Sequence, residues 1–345
     1  MKKHGKRTAA AVLAAAAIGT VLICNRGLVR IVWHNLYSPG VKLDTTPEWT
    51  GGKSWEKLPY SDVSESDYLN LYVPEDTEPM PLLILVHGGG FVSNDCESRQ
   101  AQFMYRYFRD HGYACASVNY RLAQEALYPA AIEDVKAAVR FLRANAKEYG
   151  YDPDRFAIWG ESAGGYLAAM AAVTPDDASS GVTFTGEERL TEPVSGEVSA
   201  LIDFYGIMDM DLLSADFKRE GIPDWLLTIS ALPLNRNLKG FESVEDMWVG
   251  QDVTACSKEE LEKMSPRGYL WQKSELETLI YHGDCDLSVA LSQSERLAKE
   301  CRAVWGSEKV EFRIFEGYKH ADDRFYTEEQ LEEVKDFLDQ AFGEE

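Results

Sequence analysis

Phe156-Ala157-Ile158-Trp159-Gly160-Glu161-Ser162-Ala163-Gly164-Gly165-Tyr166 is the stretch on which the fold turns. The apolar quartet 156–159 predicts a buried strand, and the small apolar residues from Gly165 to Val173 predict a helix. Between them stands G-x-S-x-G. A sharp strand-to-helix turn forces its serine into strained backbone, and small neighbours are needed to avoid clashes. The turn lifts Oγ of Ser162 clear of the sheet edge, towards the free N–H groups that open the helix. A bare G-x-S-x-G is a weak signal; its setting between strand and helix makes it specific.

The same alternation extends in both directions. Strands are predicted at 68–73, 82–86, 113–118, 200–204, 279–281 and 310–315, and helices at 100–110, 130–149, 291–305 and 328–342. Leu82-Leu83-Ile84-Leu85-Val86 is a continuous apolar run of the kind found in a parallel sheet covered on both faces. In the helix at 130–149, Ile132, Val135, Val139 and Leu142 share one face. Repeated strand–helix alternation predicts one α/β domain with mostly parallel strands, right-handed crossovers and helices on both faces. Residues 37–66, rich in Ser, Thr, Pro, Gly and Trp, read as an irregular approach segment. Residues 175–198 suit a surface excursion. Residues 207–275 are too long for a simple crossover and read as a cap over a pocket, the plainer alternative being extra helices on the sheet rim.

His87-Gly88-Gly89-Gly90-Phe91 follows the strand at 82–86. Glycines there let the backbone approach a ligand and turn N–H groups inward, where they can hold the oxyanion of an acyl-transfer transition state. Alone the run could be a flexible turn; beside the serine elbow it points to catalysis. If the chain order is serine, acid, histidine, only His282 and His320 follow Ser162. His282 immediately precedes the loop Gly283-Asp284-Cys285-Asp286 where the acid is expected, which leaves His320, just past the strand at 310–315, as the base. Asp284 and Asp286 compete for the acid. Asp286 lies further into the loop and is better placed to reach His320, whereas Asp284 suits a structural turn. Asp322 and Asp323 lie too near His320 in sequence and read as solvated.

These residues resemble the α/β-hydrolase superfamily, and within it the HGGG-type serine esterases: the hormone-sensitive-lipase-like branch and the bacterial feruloyl-esterase-like (BD-FAE) carboxylesterases. The resemblance runs from about Tyr68 to Phe342. It implies oxyanion donors at the N–H groups of Gly89, Gly90 and Ala163, a nucleophile at Ser162, and an acid at Asp286 within His282-Gly283-Asp284-Cys285-Asp286-Leu287-Ser288-Val289. Tyr120-Arg121-Leu122 with Pro129-Ala130 matches a structural motif of that fold. Val289-Ala290 stands where a proline is common, and Asn119 where many relatives carry Asp; both bear on substrate fit more than on the triad. The resemblance implies an ester hydrolase acting on short-acyl or aromatic esters, small or carbohydrate-borne, with neither metal nor organic cofactor. An exopeptidase or amidase with the same triad is the alternative, and a non-catalytic binding protein on this fold a further one.

The composition agrees with such a chain. In 345 residues, 45% are hydrophobic and 27% charged, as in an ordinary globular protein. Residues 1–30 carry six bases (Lys2, Lys3, Lys6, Arg7, Arg26, Arg30) and no acid, so the rest holds 29 of the 35 bases against all 57 acids, a net −28. Nucleic acid is excluded as a partner for so acidic a body. Six widely spaced cysteines suggest neither a metal site nor a disulfide scaffold. The uncharged apolar run Thr8–Cys24, behind four bases, would span roughly 25 Å as a helix. It reads as an uncleaved anchor, with a cleaved signal as the alternative, since no small-x-small site follows the run. The charge asymmetry places the body outside the cytoplasm, membrane-anchored, or secreted if the segment is removed. The division expected is 1–30 anchor or signal, 31–66 linker and 67–345 hydrolase domain, with oligomeric state open.

Overall fold

The computed structural model describes residues 26–37, 41, 43, 51–75, 79–176, 190, 193–235 and 238–343. Among them run strands β1 (Gly52–Pro59), β2 (Tyr68–Pro74), β3 (Met80–Val86), β4 (Ala114–Val118), β5 (Tyr151–Glu161), β6 (Ala200–Phe204), β7 (Glu277–Gly283) and β8 (Val310–Phe315). The helices are α1 (Arg26–Tyr37), α2 (Arg99–Arg109), α3 (Ala130–Ala144), α4 (Ala146–Tyr149), α5 (Ala163–Val173), α6 (Leu213–Arg219), α7 (Asp224–Asn235), α8 (Val244–Val249), α9 (Lys258–Lys263), α10 (Leu291–Trp305) and α11 (Glu328–Phe342).

The strands form one sheet in the order β1-β2-β4-β3-β5-β6-β7-β8. β2 runs antiparallel to both its neighbours, and every pairing from β4–β3 to β7–β8 is parallel. All seven residues of β3 are buried, because alternate side chains enter two different cores. Leu82, Ile84 and Val86 join Val135, Leu142 and Leu167 on one face. Leu83 and Leu85 join Trp159, Phe108 and Leu338 on the other. At roughly 1.5–3 kcal/mol for each fully buried aliphatic or aromatic side chain, this two-sided burial holds the sheet against chain entropy.

Two expectations change. The stretch 37–66 is not irregular throughout, since β1 lies within it, paired to β2 from Gly52↔Pro74 to Pro59↔Tyr68. Its side chains are largely exposed, so an edge strand here leaves no alternating pattern to read. A bulge between Trp55 and Leu58 puts Lys57 at φ +50°, and the Lys57 N–H donates to Asn70 Oδ1 at 2.8 Å. The single helix expected over 130–149 is two, broken at Asn145 (φ −105°, ψ +8°). The Asn145 amide donates to Phe141 O at 2.8 Å, satisfying a helix-end carbonyl locally.

The stretch 207–275 contributes α6 to α9 and several single turns between β6 and β7. A buried polar cluster ties it down: Asp209 pairs with Arg267 (2.7 Å) and Arg296 (2.8 Å), and Asp216 with Arg296 (2.6 Å). Most of 175–198 and the whole apolar run 8–24 lie outside the described residues. Among the described residues, no helix is long and apolar enough to cross a membrane. Cys96, Cys115, Cys256, Cys285 and Cys301 are free and buried; Cys24 lies outside the described residues.

Candidate active site

Ser162 stands at the junction of β5 and α5 with φ +54° and ψ −122°, a conformation that a non-glycine residue adopts only when its surroundings impose it. The surroundings are visible. The Ser162 N–H donates to Phe204 O at 2.9 Å, anchoring the turn to β6. A Cβ on Gly160 would lie 2.0 Å from Gly164 O, and one on Gly164 would lie 2.1 Å from Val86 O. No side chain fits at either position, which is the physical content of the two motif glycines. Ala163 opens α5, where first-turn N–H groups have no acceptor within the helix.

Facing the turn is the loop after β3, in which Gly89 has φ +120°, Gly90 +61° and Phe91 +63°. His87 is fully buried, its ring stacked on Tyr120 at 4.2 Å between centroids. Burial pushes its pKa down to about 4, so it is a neutral ring and no proton carrier near pH 7. Its Nδ1 lies 2.8 Å from Gly88 O, and the Tyr120 hydroxyl donates to His87 O at 2.8 Å. Tyr120 therefore braces the glycine loop, as a structural motif should, while Arg121 pairs with buried Asp134 at 2.6 Å. Methyl groups of Leu234 and Val244 lie where a Cβ on Gly90 would be 3.1 Å and 3.6 Å away. The 207–275 stretch thus stands directly over the glycine loop. Next to it a cavity of about 270 Å³ is walled by Leu213, Phe217, Leu227, Leu234, Leu287 and Glu245, among others.

The structure brings the three expected side chains together. His320 Nε2 lies 2.9 Å from Ser162 Oγ, and His320 Nδ1 lies 2.6 Å from Asp286 Oδ2. The other Asp286 oxygen accepts from the N–H groups of Ser288 (2.7 Å) and Val289 (2.9 Å). Burial alone would raise the Asp286 carboxyl. The charge of His320 and hydrogen bonds from His282 and His320 outweigh it and hold the group well below the ordinary carboxylate range, so it is ionised at neutral pH. The edge of the Tyr205 ring packs on His320, 4.9 Å between centroids.

Around these three side chains, Asp284 has the turn role its place in the loop suggests, while others carry no sequence signal of their role. His282, set aside as the base, is fully buried with Nδ1 2.7 Å from Ser294 Oγ and Nε2 3.1 Å from Val289 O. Its Nε2 also lies 3.5 Å from Asp286 Oδ2, so it packs behind the acid. Asp284 is the turn residue: its Oδ1 accepts the Gly317 N–H at 2.7 Å. Glu161, buried beside the nucleophile, receives hydroxyls from Tyr205 and Tyr326. Burial raises its carboxyl despite those donors. Tyr205 and Tyr326 are 44 and 165 residues from Glu161, a separation that no local pattern spans. Asp322 is not solvated as expected: Arg324 folds back on it at 2.8 Å and leaves it 2% exposed. Asp323 pairs with Arg99 at 2.5 Å. Among the described residues, no group of three or more His, Cys, Asp or Glu side chains is disposed to hold a metal ion.

The sheet order, the antiparallel second strand and the serine on a strained β5–α5 turn define an α/β-hydrolase. The chain belongs to the BD-FAE family, whose profile matches residues 69–301. A probable carboxylic ester hydrolase, LipM, of Mycobacterium tuberculosis is 31% identical over 159 residues, 45% of this chain and 35% of that protein. Esterase LipQ of the same organism is 33% identical over 156 residues, 44% and 35% of the two chains. The match spans about a third of the length of these curated relatives. In structure, the chain is similar to a truncated carbohydrate esterase from gut microbiota, with TM-score 0.70 and 26% identity over 86% of this chain and 99% of that one. It is also similar to a bifunctional GH43-CE protein of Bacteroides eggerthii, with TM-score 0.68 and 27% identity over 84% and 38%.

Proposed function

We propose that the chain is a serine carboxylesterase acting on short-acyl or aromatic esters, with carbohydrate-borne esters the favoured class. One observation carries this reading: a serine held at φ +54° has its Oγ 2.9 Å from a histidine that is itself 2.6 Å from a buried aspartate. In the reading, Ser162 Oγ attacks the ester carbonyl carbon as His320 Nε2 takes the hydroxyl proton. The carbonyl oxygen becomes an oxyanion held by the N–H groups of Gly89, Gly90 and Ala163. As the tetrahedral intermediate collapses, the C–O bond to the alcohol breaks and His320 returns the proton to the leaving oxygen. Water then repeats the sequence on the acyl-enzyme, freeing the acid and Ser162. Asp286 fixes the His320 tautomer and stabilises the imidazolium. No step needs a metal or an organic cofactor.

The carbohydrate preference is supported by the structural neighbour from gut microbiota that is itself a carbohydrate esterase. Attachment to a membrane through 8–24, with the body on the extracytoplasmic side, is proposed from the charge pattern of the first thirty residues. Resistance of the membrane-fraction protein to carbonate extraction checks it, and release by carbonate overturns it.

The test is hydrolysis of p-nitrophenyl acetate, butyrate and octanoate, beside Ser162→Ala. The expected result is activity that declines with acyl length and drops by roughly 10⁶-fold in kcat in the variant. Folded protein that cleaves aminoacyl-anilides and no ester would sink the esterase reading in favour of an amidase.

A further inference from the structure

Helix α1 lies against the two loops that carry the acid and the base. Leu28 on its inner face is buried in a cluster with Phe217, Ile222, Leu226, Leu287 and Ala290. Arg30 Nη1 donates to Asp284 Oδ2 at 2.7 Å, and Asn35 Nδ2 donates to Cys285 O at 2.8 Å. The His34 ring sits so near Gly317 that a Cβ there would be 2.5 Å from it. These contacts fall on residues 284, 285 and 287, on both sides of Asp286, and on residue 317, three before His320.

What they close over is the junction that sets the 2.6 Å Asp286–His320 distance. The acid loop leaves β7 and the base loop leaves β8, and the two are joined by three bonds from the acid loop's first residues. Asp284 N–H donates to Phe315 O at 3.1 Å, Cys285 N–H donates to Tyr318 O at 3.0 Å, and Asp284 Oδ1 accepts from Gly317 N–H. Arg30 holds the second oxygen of that same Asp284 carboxylate. The Arg30–Asp284 pair is partly exposed, with side chains 37% and 21% accessible, so it adds little to overall stability. Its place on the junction gives it leverage on geometry instead.

We propose that α1 is a working part of the active-site scaffold, with Arg30 and Asn35 as positioning residues that hold the acid loop where Asp286 reaches His320. The inference rests on the Ser162–His320–Asp286 assignment and is independent of any membrane attachment. Removing α1 outright would expose Leu287 and Ala290 and confound the result with misfolding, so point variants of the full chain are the test. Arg30→Met is expected to lower kcat about tenfold, less than the hundredfold that a 1 Å misplacement can cost, with KM within about twofold. Its melting temperature should fall by no more than about 3 °C. Arg30→Lys recovers most of the loss, Arg30→Met with Asn35→Leu deepens it, and Trp33→Ala, on the 58% exposed outer side of the same helix, leaves kcat unchanged. A double variant with kcat within about twofold of wild type overturns the proposal. So does a loss confined to KM, or one that Trp33→Ala reproduces. Labelling of wild-type Ser162 by a fluorophosphonate reports separately on Ser162 as the activated nucleophile, and its failure overturns both readings.

Discussion

The Ser162 half and the Asp286–His320 half of the proposed site, its nucleophile half and its acid–base half in that reading, are built by opposite means. Ser162 and the glycine loop sit on backbone squeezed between β3, β5 and β6, where a single methyl on Gly160 or Gly164 would strike a carbonyl at about 2 Å. That half is made by close packing of neighbours in one sheet. Asp286 and His320 sit on loops 34 residues apart, joined by hydrogen-bonding side chains: His282 behind the acid, Asp284 across to Gly317, and Arg30, from far earlier in the chain, outside. The first half is rigid by exclusion and the second by hydrogen bonds, so the second should be the easier to perturb without unfolding.

The largest expected effect in the acid–base half is Asp286→Asn. With backbone N–H donors still holding one side of the group, the fold should survive while kcat drops about 10⁴-fold, because the amide favours the wrong His320 tautomer. A drop of less than about tenfold would mean that another carboxylate takes the role. His282→Asn removes the ring behind Asp286; kcat is expected to fall roughly tenfold with KM unchanged, as the carboxylate gains freedom. Equal changes in both constants would make His282 a packing residue only.

The smallest effect on rate, and the clearest on stability, belongs to the nucleophile half. Asp203 on β6 is fully buried beneath the elbow, its Oδ1 2.2 Å from where a Gly165 Cβ would be. Burial raises its pKa to about 8, opposed by the Gly206 N–H. The native state therefore keeps a proton that the unfolded chain releases above its ordinary value of 3.8. The stability contributed by this site should fall as pH rises from about 4 to about 8. Asp203→Asn removes that contribution: unfolding free energies of the two proteins from denaturant titration should coincide near pH 4 and separate, by on the order of a few kcal/mol, towards pH 8. Parallel curves would mean that Asp203 is ionised in the folded protein.

Much of this is legible in the sequence. Continuous apolar runs mark β3 and the buried half of β5, residues 156–159, because a strand segment covered on both faces has no polar positions to interrupt it. The elbow and glycine loop were legible because close approach leaves glycine as the one residue that fits. Chain order singles out His320 and depth in its loop favours Asp286, and the fold places the two side chains 2.6 Å apart. β1 was missed because an exposed edge strand carries no alternation. The break at Asn145 was missed because its cause is one local amide bond. Asp322 departs from its solvated reading because its partner Arg324 matters only once the chain folds back.

The sequence by itself determined the sheet, the strained serine and the chemical type of its partners, since these depend on local periodicity, residue size and order along the chain. Only the tertiary structure decided how the acid and base are held. Arg30 and Asp284 are 254 residues apart, and Tyr326 reaches Glu161 across 165. Contacts between such distant positions arise when the sheet brings strand ends together, and nothing in the local composition of either partner encodes the other.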